Sequence, residues 1–141
     1  MVEDIIRFLT GIRDISRGEG LEHFLLKIYG LLFLRSQGYT MVMFEPEIFG
    51  LRPDILAVRI LGNNVEIAWV ECGRMHKSYA EVKGVLEKLK HLLKRKLVVN
   101  YRIFNISTRS ANLPEYVDEI KVSDYVMKLL RDIYSMFDPK V

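Results

Sequence analysis

The sequence predicts an α/β protein with a central mixed sheet and helices on both faces. Three observations carry that prediction. Four apolar runs of strand length, near residues 39–44, 54–61, 65–72 and 97–106, alternate with segments of helical period. Gly62-Asn63-Asn64, a turn of hairpin type, joins the second run to the third. An amphipathic helix over 78–94 separates the third run from the fourth, which suits a right-handed crossover to a parallel neighbour.

The elements follow in order. Residues 3–15 place Ile5, Phe8, Leu9 and Ile12 at helical spacing, so residues 1–17 are read as a helical arm ended by Gly18-Glu19-Gly20. A stronger helix spans Leu21 to Ser36, with Leu21, Leu25, Ile28, Leu32 and Arg35 on one stripe and Gly38 as its stop. Tyr39–Phe44 is strand-like, and Pro46 and Gly50 then interrupt the chain. Strands over Asp54–Leu61 and Val65–Cys72 flank the hairpin turn. In the following helix, Tyr79, Val82, Leu86, Leu89 and Leu93 give an apolar face. After the strand Leu97–Ile106 comes a polar loop from Ser107 to Pro114. Ile120-Lys121-Val122 is expected as a short edge strand. Ser123 or Asp124 is expected to cap a last helix carrying Val126, Leu129, Leu130, Ile133 and Phe137. Residues 107–141 are thus a C-terminal loop and helix, and the whole chain 1–141 is expected to be a single domain.

Composition excludes several classes. With 141 residues, half of them hydrophobic, the chain is neither disordered nor fibrous and can bury a core of its own. Cys72 is the single cysteine, so neither an intramolecular disulfide nor a Cys-rich zinc site can form, and a reducing, cytoplasmic setting is expected. No uninterrupted apolar run approaches the ~18 residues of a membrane span, and the acidic start MVEDIIRFL is unlike a signal peptide. A single Gln beside abundant Lys, Arg, Ile, Val and Leu hints at a thermophilic source.

Two acids stand out. Asp54, after Pro53, opens the second strand, and Glu71 closes the third. A hairpin centred on Gly62-Asn63-Asn64 puts them at the same end of adjacent strands. There, cross-strand Cβ atoms lie about 4.5–5.5 Å apart. Carboxylates that close raise each other's pKa, and a divalent cation between them removes the penalty. Mg²⁺ is commonly held by one or two carboxylates with water. Such a site suits metal-assisted attack of water on a phosphodiester. The bland alternative for Asp54 is a turn residue after proline. For Glu71, in the apolar run WVEC, it is a salt bridge to Arg52 or Arg74.

Pro53-Asp54 followed by Glu71-Cys72-Gly73, on an αβββαβ order, resembles the PD-(D/E)xK nuclease superfamily. Archaeal Holliday-junction resolvases and small archaeal endonuclease-like proteins come closest. The resemblance covers residues 19–106 in topology and only these few residues in motif. It implies a restriction-endonuclease-like αβββαβ core, a central mixed sheet flanked by helices. It further implies Mg²⁺ or Mn²⁺ held by Asp54, Glu71, the main-chain carbonyl of Cys72 and a helix acid, Glu22 ahead of Glu19. The family places Lys two residues after the Glu, where this chain has Gly73. Losing one such preorganised group typically costs on the order of 10²–10³ in rate. Lys77 is the candidate for a displaced lysine, which makes Asp54, Glu71 and Lys77 the catalytic candidates. Arg74 is adjacent, but on a strand it would face the opposite side. The alternative is a nuclease-fold module that binds nucleic acid or protein without cutting.

The charge distribution supports a nucleic-acid partner, DNA in the family. Residues 74–102 hold nine Lys/Arg against Glu81 and Glu87, a net +7, while the remainder is −4. Arg52, Arg74, Lys77, Lys83, Lys90 and Lys94 are the binding candidates. A solvated helix face, with Glu87 paired to Lys83, Lys90 or Lys94, is the bland alternative. His23, His76 and His91 lack metal-ligand spacing. Tyr79 and Tyr101 are placed to stack on bases but nothing in the sequence requires it. The small resolvase-like nucleases act as homodimers, which here implies pairing through helices 21–36 and 124–137.

Overall fold

A computed structural model describes residues 20–73 and 78–137, without the Phe137 side chain. The expected N-terminal arm and Glu19, Arg74, His76 and Lys77 lie outside the described residues. The elements are α1 (Leu21–Ser36), β1 (Met41–Phe44), β2 (Ile55–Leu61), β3 (Asn64–Cys72), α2 (Tyr79–Leu93), β4 (Val98–Ser107), β5 (Val117–Lys121) and α3 (Asp124–Phe137). The strands form one five-stranded mixed sheet in sequence order. β1–β2 and β2–β3 are antiparallel, and β3–β4 and β4–β5 are parallel. The α/β class and the αβββαβ order expected from sequence are the ones observed.

The end of α1 follows from Gly38. Its φ of +90° is open to glycine at no Cβ cost. It lets Tyr39 N–H reach back to Leu34 O at 3.0 Å and Gly38 N–H to Arg35 O at 3.1 Å, a Schellman stop. The chain is therefore still turning at Tyr39, and β1 starts at Met41 rather than at the expected residue 39. Tyr39 is instead buried, and its hydroxyl donates to Glu66 Oε1 at 2.6 Å. Arg59 Nη2 donates to Glu66 Oε2 at 2.7 Å. Burial alone would raise the Glu66 carboxyl, but these two bonds outweigh it and hold the group below the usual carboxylate range.

α1 is buried on more than the one predicted stripe. Leu26 and Leu34 face the sheet, whereas Phe24, Leu25, Ile28 and Leu31 meet Leu130 of α3. A helix with apolar residues nearly all round is one packed on both sides. Gly30 permits the approach to the sheet, since a Cβ there would lie 2.6 Å from Ile55 Cδ1. The layers run α3, α1, sheet, α2. On the α2 side, Val82 and Leu86 pack with Leu56, Trp69, Val99 and Ile103. Ser78 caps α2, its Oγ accepting from Ala80 N–H at 3.1 Å.

Two expectations for the C-terminal part are corrected. The edge strand covers Val117–Lys121, not 120–122, because Val117 pairs with Ile103. In α3 the inner residues are Val126, Met127, Leu130 and Tyr134, whereas Leu129 and Ile133 point outward, 42% and 44% exposed. α3 carries two apolar arcs, and its sequence alone does not say which one meets α1.

Between β1 and β2, Ile48 and Leu51 exchange backbone hydrogen bonds of 2.7 and 2.9 Å. Phe49 and Gly50 between them have φ of +47° and +83°, a turn of type I′. Glycine tolerates this, but a side chain in the left-handed region costs about 1–2 kcal/mol.

Candidate active site

The β2–β3 register ends with Ile55 paired to Val70, so Asp54, in the bend before β2, and Glu71, next after Val70, lie at the same end of the hairpin. The β3–β4 register pairs Glu71 with Asn105. Alternation along the strands puts Glu71 and Asn105 on the face covered by α2, in line with Trp69 and Ile103, while Asp54 lies in the bend just before β2. Asp54, Glu71 and Asn105 thus form a polar row at one end of the sheet. Cys72 alternates to the other face, where its thiol is buried against α1's side of the core. A contribution from Cys72 is therefore confined to its main chain.

Asp54 is held from two directions. Cys72 N–H donates to Asp54 Oδ2 at 2.7 Å, and His23 Nε2, from the first turn of α1, lies 3.3 Å from the same oxygen. Behind it, Asp54 O accepts from Glu45 N–H at 3.2 Å. Glu45 Oε2 in turn meets Lys27 Nζ at 3.5 Å, a lysine only 1% exposed. Sequence reasoning gave neither His23 nor Lys27 a role. The available signal was a helical i, i+4 pair of basic residues inside an otherwise apolar run.

Glu71 and Asn105 are each 3% exposed. Asn105 Nδ2 donates to Tyr79 OH at 2.8 Å and to Gly73 O at 3.2 Å. The Tyr79 hydroxyl is pushed up to about 12, first by burial and then by the negative charge of Glu71 and Asp54. It is a neutral phenol at neutral pH, able to donate a hydrogen bond beside two carboxylates. Tyr79 thus stands with its hydroxyl at the carboxylate end of the sheet. The Tyr101 hydroxyl donates to Glu87 at 2.5 Å.

Beside this row opens a cleft of about 670 Å³ between the start of α1 and the loop after β4. Glu22, Gly73, Tyr79, Asn105 and Arg109 line it. Glu22 Oε1 accepts from Thr108 Oγ1 at 3.0 Å, which ties the loop to the helix. Arg109 was missed in the sequence. Its signal was topological, because a loop after a strand parallel to β3 must emerge at the Glu71 end.

Gly73 has φ +76°, and its N–H donates to Ile106 O at 2.7 Å. The position two residues after Glu71 is thus a left-handed turn. Gly73→Ala and Gly73→Lys are both expected to lower unfolding free energy by about 1–2 kcal/mol. Urea melts read this, and a Gly73→Ala protein as stable as wild type would contradict the turn.

The basic candidates separate. Lys83, Lys90 and Lys94 lie at i, i+7 and i+11, which places them along one exposed flank of α2. Lys83 Nζ sits 4.6 Å from the Tyr116 ring centroid. Arg52 is exposed on the loop leading to Asp54. Arg74 and Lys77 lie outside the described residues. Among the described residues, no three His, Cys, Asp or Glu side chains converge as a metal-ligand cluster. The Asp54–Glu71 pair is what remains, hard oxygen donors of the kind and number that Mg²⁺ uses with water.

Fold and site together define an α/β protein with a carboxylate pair at the end of a β-hairpin, roofed by a helix start. No protein-family model matches the chain, and no curated protein does. Among solved structures it is similar to the small subunit of the heterodimeric restriction endonuclease R.BspD6I. The identity is 10% and the TM-score 0.35, over 98% of this chain and 79% of that one. No helix among the described residues is long and apolar enough to cross a membrane.

Proposed function

We propose that the protein is a metal-dependent, restriction-endonuclease-like nuclease that hydrolyses phosphodiester bonds in DNA. The observation that carries this reading is that Asp54 and Glu71 lie at the same end of the β2–β3 hairpin, beside a cleft that Glu22 and Arg109 line. Asp54 and Glu71 would hold Mg²⁺ or Mn²⁺ with the Cys72 carbonyl, while Glu22, bonded to Thr108, does not join them in a three-carboxylate cluster. The ion supplies charge neutralisation at the phosphate and a more acidic water. Cys72 N–H and His23 fix the Asp54 carboxylate. Tyr79, held by Asn105, donates a hydrogen bond toward the substrate. Arg109 attracts the phosphate into the cleft, and Lys77 is the proposed replacement for the lysine absent at Gly73. Arg52, Arg74, Lys83, Lys90 and Lys94 supply the wider positive field.

The test is Mg²⁺-dependent cleavage of duplex, single-stranded and branched DNA, with EDTA as control. Binding without any turnover would leave a nuclease-derived binding module instead. We propose further that the acting unit is a homodimer. Its support is the outer arc of α3, where Tyr125, Leu129, Ile133 and Met136 are all exposed. Sedimentation equilibrium is expected to give twice the chain mass, falling to one chain mass in Leu129→Glu. A wild-type monomer would remove the dimer.

A further inference from the structure

The Ile48–Leu51 turn stands against α2 at the carboxylate end of the sheet. Ile48 and Leu51 anchor it in the core on that side. Between turn and helix lies an open groove of about 350 Å³, lined by Phe49, Leu51, Glu81, Gly84, Val85 and Lys88. Three features of this groove go together. Phe49 has a left-handed φ of +47° and is still 48% exposed, so the strain is not offset by burying the ring. Lys88 Nζ lies 4.3 Å from the centroid of that ring. Gly84 leaves the floor open, since a Cβ there would meet nothing within 4 Å.

The helix side of the groove, from Glu81 to Lys88, lies within the segment of net +7, and the Lys88 ammonium sits over one face of the aromatic ring on the other side. Only Arg52 and Pro53 separate Leu51 from Asp54 in the chain. We infer that Phe49 is a stacking platform for an unpaired base of a nucleic-acid strand, with Lys88 taking the adjoining phosphate. The inference deepens the nuclease reading and rests on it for the substrate class. A base stacks on any exposed aromatic face, and the neighbouring cation pairs with its backbone. Glu81 lines the groove as well and repels phosphate, which leaves the Lys88 side as the path for the backbone.

The experiment is fluorescence anisotropy of the full chain with a labelled single-stranded oligonucleotide in EDTA, over a salt series. Phe49→Ala and Phe49→Asn are expected to weaken binding about 5- to 100-fold without changing the salt slope, because a base contact and no charge is lost. Asn tolerates the left-handed turn, so loss in Phe49→Asn cannot be ascribed to misfolding. Phe49→Trp retains or improves affinity. Lys88→Gln weakens binding and makes the salt slope shallower by about 0.7. Binding by Phe49→Ala and Phe49→Asn within about twofold of wild type overturns the inference, and so does wild type that fails to bind the oligonucleotide. Binding that depends on Phe49 with no cleavage in Mg²⁺ sustains the inference and defeats the nuclease reading. Cleavage with Phe49-independent binding does the reverse.

Discussion

Glu71→Gln is expected to reduce metal-dependent DNA cleavage by at least about 10²–10³-fold, and Asp54→Asn to do the same. Each substitution keeps the shape of the side chain and removes the negative charge. At Glu71, 3% exposed beside Asn105 and Tyr79, a change of shape would disturb the packing at the end of the sheet, so the amide is the discriminating choice. At Asp54, the amide can still accept from Cys72 N–H through its carbonyl, so the local turn survives. The measurement pairs initial cleavage rates with Mn²⁺ titration by calorimetry. Wild type should bind the ion and both variants should lose it. A Glu71→Gln protein that cuts at the wild-type rate, or a wild type that cuts equally well in EDTA, removes the catalytic assignment.

Trp69→Ala is expected to cost about 3–5 kcal/mol of stability. Trp69 is fully buried at the centre of the α2 side of the core, among Leu56, Val82, Leu86 and Ile103. That loss is a third or more of the stability of many small domains. Trp69→Phe should cost far less. The indole Nε1 is buried without a hydrogen-bond partner, so losing it recovers part of the price of the smaller ring. Denaturant unfolding of the two variants reads the difference. An alanine variant within about 1 kcal/mol of wild type would mean that this side of the sheet is not a packed core.

Much of this arrangement was legible in the sequence because it depends on local chemistry. The α1 limits were read from the apolar run and from Gly38, and the structure returns Leu21–Ser36. The β2–β3 hairpin was legible because Gly62 and Asn63 suit a tight turn, and its register then brought Asp54 and Glu71 to the same end. Other features were not. The burial of α1 on two sides depends on α3 lying over it, which no spacing within α1 records. The outward turn of Leu129 and Ile133 is a choice between two apolar arcs, settled by where α1 offers a surface. Tyr39 reads as the first residue of a strand until the Schellman turn directs it inward to Glu66.

The candidate site divides the same way. By itself the sequence determined the two carboxylates and their shared strand end, since pairing register is a local consequence of the hairpin. It also determined Gly73 two residues after Glu71 and the positive segment that follows. Only the tertiary structure decided what surrounds the carboxylates. His23 reaches Asp54 from a helix 31 residues earlier in the chain. Asn105 and Tyr79 join Glu71 through a parallel crossover, and Thr108 ties Glu22 to the far loop. Those contacts join elements distant in sequence, and they are fixed by the packing of helices on the sheet rather than by any spacing along the chain.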